Sequence, residues 1–204
     1  MIAIVDYQAG NIGSIRNMLK KIGHDSLITS SATEIQGASH IIVPGVGAFD
    51  YGMQKLSALG LIEVLNEKRR SSTPILGICL GAQLMCKNSE EGKLPGLGWV
   101  PGRVKKFSAS ENGKKYTVPH MGWDVVEQTK ESKLFEDVGK PARFYFVHSY
   151  YIHCEHNDAV LTQNRYSTTY HSAFELNNVL GVQFHPEKSH KFGKQLLKNF
   201  IEKY

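Results

Sequence analysis

Thr73-Pro-Ile-Leu-Gly-Ile-Cys79-Leu-Gly-Ala-Gln83 is the stretch from which the fold can be read. The apolar run 75–79 predicts a buried strand, and Leu80, Leu84 and Met85 begin a helix at once. Gly77 and Gly81 stand two residues to either side of Cys79, so the chain can turn sharply there. Working outward, Ile2–Val5 and His40–Val43 have the same buried-strand character. Helical spacing appears over 11–22, through Ile12, Ile15, Met18, Leu19 and Ile22, and again around 50–58 and 61–70. Strand–helix alternation of this kind predicts an α/β chain with a central, mostly parallel sheet flanked by helices. Residues 97–126 and 142–152 lack helical periodicity and are rich in Gly, Val and aromatics, which predicts an antiparallel extension of strands and hairpins. Val179–Phe184 reads as one more buried strand, and 189–203 as a closing helix with a stripe of Phe192, Leu196, Leu197, Phe200 and Ile201.

With 204 residues and no repeat, linker or low-complexity run, the chain is expected to form one domain over 1–204. Hydrophobic residues make up 41% and charged residues 21%, which is ordinary globular usage. No apolar run is long enough to span a bilayer, and the N-terminus reads as a core strand rather than a signal peptide. Three irregularly spaced cysteines make no disulfide framework, which points to a reducing cytoplasm. The net charge of +5 is spread in short runs such as Lys68-Arg69-Arg70, without interleaved aromatics, so no nucleic-acid partner is expected. His153-Cys154-Glu155-His156 is dense in metal-ligand types. On a strand its two histidines would face opposite sides, and no second ligand pair stands at metal spacing, so no metal is expected.

The turn around Cys79 has the form of a nucleophile elbow. It would set the thiol at a helix N-terminus, where the dipole favours a thiolate, and aim the Leu80 amide at an oxyanion. A buried structural cysteine fits the same five residues; what separates the two is a base. Gly181-Val-Gln-Phe-His185-Pro-Glu187 supplies one at the end of a buried strand. Pro186 ends the strand after His185, and Glu187 is placed to orient the imidazole and to stabilise its charge. Cys86 and Cys154 have no such surroundings and read as inert.

These residues resemble the class I (triad) glutamine amidotransferases, which implies a flavodoxin-like fold. Pro44-Gly-Val-Gly47, Pro119-His-Met-Gly-Trp123, Tyr145-Phe-Val-His-Ser-Tyr150 and 181–188 narrow the likeness to the glutaminase subunits of imidazole glycerol phosphate synthase. The resemblance runs from Asp6 to the last helix. It implies that Cys79 attacks the carboxamide of glutamine to give a γ-glutamyl thioester. His185 protonates the departing ammonia and then activates water, with Glu187 orienting it. The oxyanion would be held by Leu80 and by the turn at Val46 and Gly47. Gln83 and Glu91 would grip the substrate's amino-acid end, while His148, Ser149 and Tyr150 would line its pocket through backbone groups. Gly10, Asn11, Pro119, His120, Met121, Gly122 and Trp123 would face a (β/α)₈ cyclase subunit that receives the ammonia. No cofactor is implied. Ala82 departs from the Met usual at that position.

Three other readings bear on the acceptor and on the chemistry. Paralogues of such subunits feed ammonia to a sugar amidotransferase in surface polysaccharide or glycan assembly, and 189–201 is compatible with them too. A cysteine hydrolase or peptidase of related fold would carry His after the nucleophile, where Leu80 stands here, and would lack Gln83. A scaffold that had kept only the fold would be expected to have lost a member of the Cys79, His185 and Glu187 set.

Overall fold

The computed structural model describes residues 1–10, 12–111 and 113–204. Ile2–Val5 (β1) is apolar at every position because both its faces are covered. Ile2 and Ile4 point into one hydrophobic core, Ala3 and Val5 into another, as the two-residue period of a strand requires. The same division holds along His40–Val43 (β3) and Ile75–Ile78 (β4). β1 lies between β3 and Ser26–Thr29 (β2), and β3 pairs with β4, all in parallel.

Helices cover the two faces according to their apolar stripes. Ile12–Lys21 (α1) buries Ile15, Met18 and Leu19 in one core. Ala32–Gln36 (α2), Phe49–Ala58 (α3), Leu61–Arg70 (α4) and Leu80–Leu84 (α5) bury Ile35, Phe49, Leu56, Leu61, Leu65 and Leu80 in the other.

The second half continues the sheet with reversed direction. Its strands are Gly102–Lys106 (β5), His120–Val125 (β6), Arg143–His148 (β7), Tyr150–Cys154 (β8), Val160–Arg165 (β9), Thr169–Leu176 (β10) and Val179–Val182 (β11). β11 lies parallel to β4, and beyond it β10, β8 and β5 follow antiparallel; β9 also pairs with β10. β6 and β7 form a separate antiparallel pair with Trp123 opposite Tyr145 and His120 opposite His148. His190–Lys203 (α6) returns to the α1 face, where Leu196, Leu197 and Phe200 are fully buried. Truncating a ring buried like Phe200 to Ala costs about 3–5 kcal/mol, so this helix fixes the strand end that precedes it.

The expected order of elements is met, with three shifts. The strand before the elbow stops at Ile78, because Cys79 has already left extended geometry. The strand expected over 179–184 stops at Val182. The helix after the elbow is only five residues, so the dipole expected at Cys79 is that of little more than one turn.

Candidate active site

β4 and β11 are parallel neighbours, with Gly77 beside Gly181 and Ile78 beside Val182. Cys79 and His185 therefore leave the sheet at the same edge. Open α/β sheets bind their ligands at this carboxyl edge. The Cys79 N–H donates to Val182 O at 2.8 Å, which ties the two strand ends together.

Cys79 has φ 53° and ψ −111°, a conformation non-glycine residues rarely adopt. The glycines beside it let the turn exist. A Cβ on Gly77 would stand 2.6 Å from Ala82 Cα, and one on Gly81 would stand 1.8 Å from Val43 O. The strained turn aims the thiol into a cavity of about 590 Å³, whose wall includes Val46, Gly47, Leu80, Gln83, Glu91, Pro119, His148, Ser149 and Tyr150. Ala82 is fully buried, with its backbone close to Gly77, so its side chain reaches no surface.

His185 is buried, and its N–H donates to Tyr145 O at 2.9 Å. Nδ1 lies 2.8 Å from Glu187 Oε1, and both side chains are almost wholly shielded. Burial opposes a charge on this imidazole, but the nearby Cys79 and the hydrogen bond and charge of Glu187 outweigh it and lift its pKa to about 10. Nε2 makes no hydrogen bond of ordinary geometry among the described residues, so the thiol acts on it here by proximity. Ser189, which the sequence did not single out, braces this turn: its hydroxyl donates to His185 O at 2.6 Å and accepts from the Tyr145 N–H at 3.0 Å.

Two of the amides expected to hold an oxyanion are engaged elsewhere. The Leu80 N–H donates to Gly45 O at 3.2 Å, and the Val46 N–H donates to Ala9 O at 3.3 Å. In this conformation both amides are engaged by backbone carbonyls, Leu80 by Gly45 within the turn and Val46 by Ala9 outside it. The Tyr7 hydroxyl is buried beneath the same turn with no partner among the described residues.

The other expected pocket residues divide by what their side chains do. Gln83 donates to Tyr150 O and to Gln183 Oε1, each at 3.0 Å. Glu91 Oε2 accepts from the Phe49 N–H at 2.9 Å, capping the start of α3 while lining the cavity. His148 borders the cavity. Its ring turns away into a cluster with Phe107, His120, Phe146 and Tyr170, and burial, with help from the charges of His120 and His185, lowers its pKa to about 3.

At the expected partner face, β6 alternates. Met121 is 65% exposed, Trp123 39% and Val125 46%, an outward apolar row whose last member the sequence did not single out. His120 does not share that face: its ring is buried, stacked on Phe146 and Tyr166. Trp123 stacks flat on His190 with centroids 5.4 Å apart. Pro119 follows a cis peptide and borders the cavity, and Gly10 abuts Gly45 of the oxyanion turn. Asn11 lies outside the described residues. His153 stacks on His171, while Glu155 pairs with Lys87 and Arg103. Among the described residues no helix is long and apolar enough to cross a membrane.

Comparison with known proteins agrees with this geometry. The chain is 49% identical to the imidazole glycerol phosphate synthase subunit HisH 2 of Methanococcus maripaludis, over 99% of each chain. It is 45% identical to the subunit HisH of Bdellovibrio bacteriovorus, over 99% of this chain and 100% of that one. A crystal structure of a glutamine amidotransferase matches in fold with a TM-score of 0.75 at 18% identity, over 99% of this chain and 98% of that one. A glutamine amidotransferase from Thermotoga maritima matches with a TM-score of 0.67 at 14% identity, over 99% of this chain and 82% of that one. The family model described as glutamine amidotransferase class-I matches residues 3–204. The chain belongs to the class-I glutamine amidotransferase family.

Proposed function

We propose that this chain, as one domain over 1–204, hydrolyses glutamine and delivers ammonia to the cyclase subunit of an imidazole glycerol phosphate synthase. The observation that carries the chemistry is Cys79, held at a positive φ at the mouth of a cavity, beside a buried His185–Glu187 pair. The two relatives named above support the choice of acceptor.

In this reading the Cys79 proton has passed to His185 Nε2, and the thiolate Sγ attacks the carboxamide carbon. His185 returns that proton to the leaving nitrogen, and ammonia departs from a γ-glutamyl thioester. Water then gives a proton to His185 and attacks the thioester, releasing glutamate and restoring the thiol. The side-chain carbonyl of Gln83 and the second carboxylate oxygen of Glu91 suit the substrate's ammonium group. The oxyanion needs donors, so the 44–47 turn must release the Leu80 N–H before the first step becomes fast. The apolar row of Met121, Trp123 and Val125 suits a docking surface, since Trp and Met are enriched at interfaces. Three free, buried cysteines fit a cytoplasmic location.

The test is glutamine hydrolysis by the chain alone, with the cyclase, and with a sugar amidotransferase. Activation by the cyclase supports the reading. Activation by the sugar enzyme alone replaces the acceptor, and hydrolysis surviving in Cys79→Ala removes the triad.

A further inference from the structure

Gln183 lies two residues before His185, is fully buried, and has no part in the steps above. Its Nε2 stands 3.7 Å from Cys79 Sγ. Its Oε1 accepts from Gln83 Nε2, which also donates to Tyr150 O. This wiring fixes both amide orientations. Were Gln83 reversed, its carbonyl would face the Tyr150 carbonyl. Were Gln183 reversed, two NH₂ groups would confront each other. The only arrangement with every contact made points the Gln183 NH₂ at the sulfur.

A neutral thiol is a weak acceptor and a thiolate a strong one, so this hydrogen bond strengthens as Cys79 loses its proton. A buried amide whose donors lack a good acceptor costs free energy, and ionisation of the sulfur relieves that cost. Gln83 also lines the cavity, so one side chain borders the substrate and sets the amide behind the nucleophile. We propose that Gln183 is a further catalytic residue, donating a hydrogen bond to the Cys79 thiolate, and that Gln83 is the positioning residue that fixes its orientation. This rests on Cys79 being the nucleophile.

The test is alkylation of the full chain by iodoacetamide across pH, read by mass spectrometry without glutamine or partner. Cys79→Ala defines the background from Cys86 and Cys154, both of which burial makes harder to ionise. Gln183→Met should move the Cys79 profile to higher pH and slow alkylation near neutrality about tenfold. Gln83→Met should act in the same direction and less. Gln183→Glu keeps the shape and the bond from Gln83 but turns an acceptor to the sulfur, so it should move the profile further still. Wild-type profiles in both Gln183 variants overturn the proposal, as does equal slowing at every pH, which marks a packing defect. If Gln183→Met does not fold, Gln183→Glu decides. If wild-type Cys79 reacts no faster than Cys86 and Cys154, the nucleophile assignment falls and this proposal with it.

Discussion

At the elbow, Gly77 and Gly81 are hemmed in by backbone, with Ala82 Cα and Val43 O inside contact distance of any added Cβ. Across the same cavity, Gly47 has φ 106° and nothing within 4 Å of where its Cβ would stand. One wall of the site holds Cys79 in a turn with no room for a Cβ at either flanking glycine. The other carries amides on a turn that is open at Gly47 but packed at Gly45, where an added Cβ would meet the Tyr7 hydroxyl and the Gly81 N. A strained cysteine needs a rigid surround to stay strained. An amide that must first let go of a backbone carbonyl needs the opposite. The difference separates what must be permanent in this site from what can be switched.

Four experiments would break or sharpen that contrast. On the fixed side, Glu187→Gln should lower glutamine turnover about a thousandfold, within the range of general acid–base loss. It should also drop the His185 pKa well below its value of about 10, read by NMR titration of the imidazole. An unchanged titration would mean that Glu187 does not orient the base. Gly81→Ala should cost about 3 kcal/mol or more in denaturant unfolding, because Val43 O cannot retreat without parting β3 from β4.

Acid should destabilise the fold through two histidines held neutral, His148 beside the cavity and His171 in β10. Burial lowers His148 to about 3, and burial with the charges of His153 and Lys105 lowers His171 to about 4. Each binds its proton less readily folded than unfolded. Their stabilising share is complete above about pH 6.5 and is lost as pH falls toward 4 and then 3. Denaturant midpoints measured from pH 7 to 4 should decline, and a flat profile would contradict both assignments. The smallest effect belongs to the movable side. Gly47→Ala meets no atom and costs about 1 kcal/mol for its backbone conformation alone. A loss as large as that of Gly81→Ala would erase the contrast.

The elements carried by strong periodicity were legible in the sequence. α1, α3, α4 and α6 fall within a residue or so of their expected limits, because each buries one apolar stripe. β2, β9 and β10 were not foreseen, and each has a physical reason. β2 is half-exposed at the sheet edge. β9 and β10 bury polar residues inside the sheet, where the Thr162 and Ser172 hydroxyls satisfy one another at 2.7 Å. Such a pair hides the alternation that marks a strand. Ser189 and Gln183 were passed over for a related reason: their partners are distant in the chain, and only folding brings a backbone carbonyl or a thiol to them.

The sequence by itself determined a sharp turn at Cys79, a histidine with a carboxylate two residues on at 185–187, and a helix–strand order that puts both at one sheet edge. These follow from local sterics and from the periods of helix and strand. Tertiary structure alone decided that the Leu80 and Val46 amides are engaged, that His120 turns inward while Val125 joins the outward face, and that the Gln183 amide faces the sulfur. Each of those depends on which group a distant segment presents, and no local pattern records it.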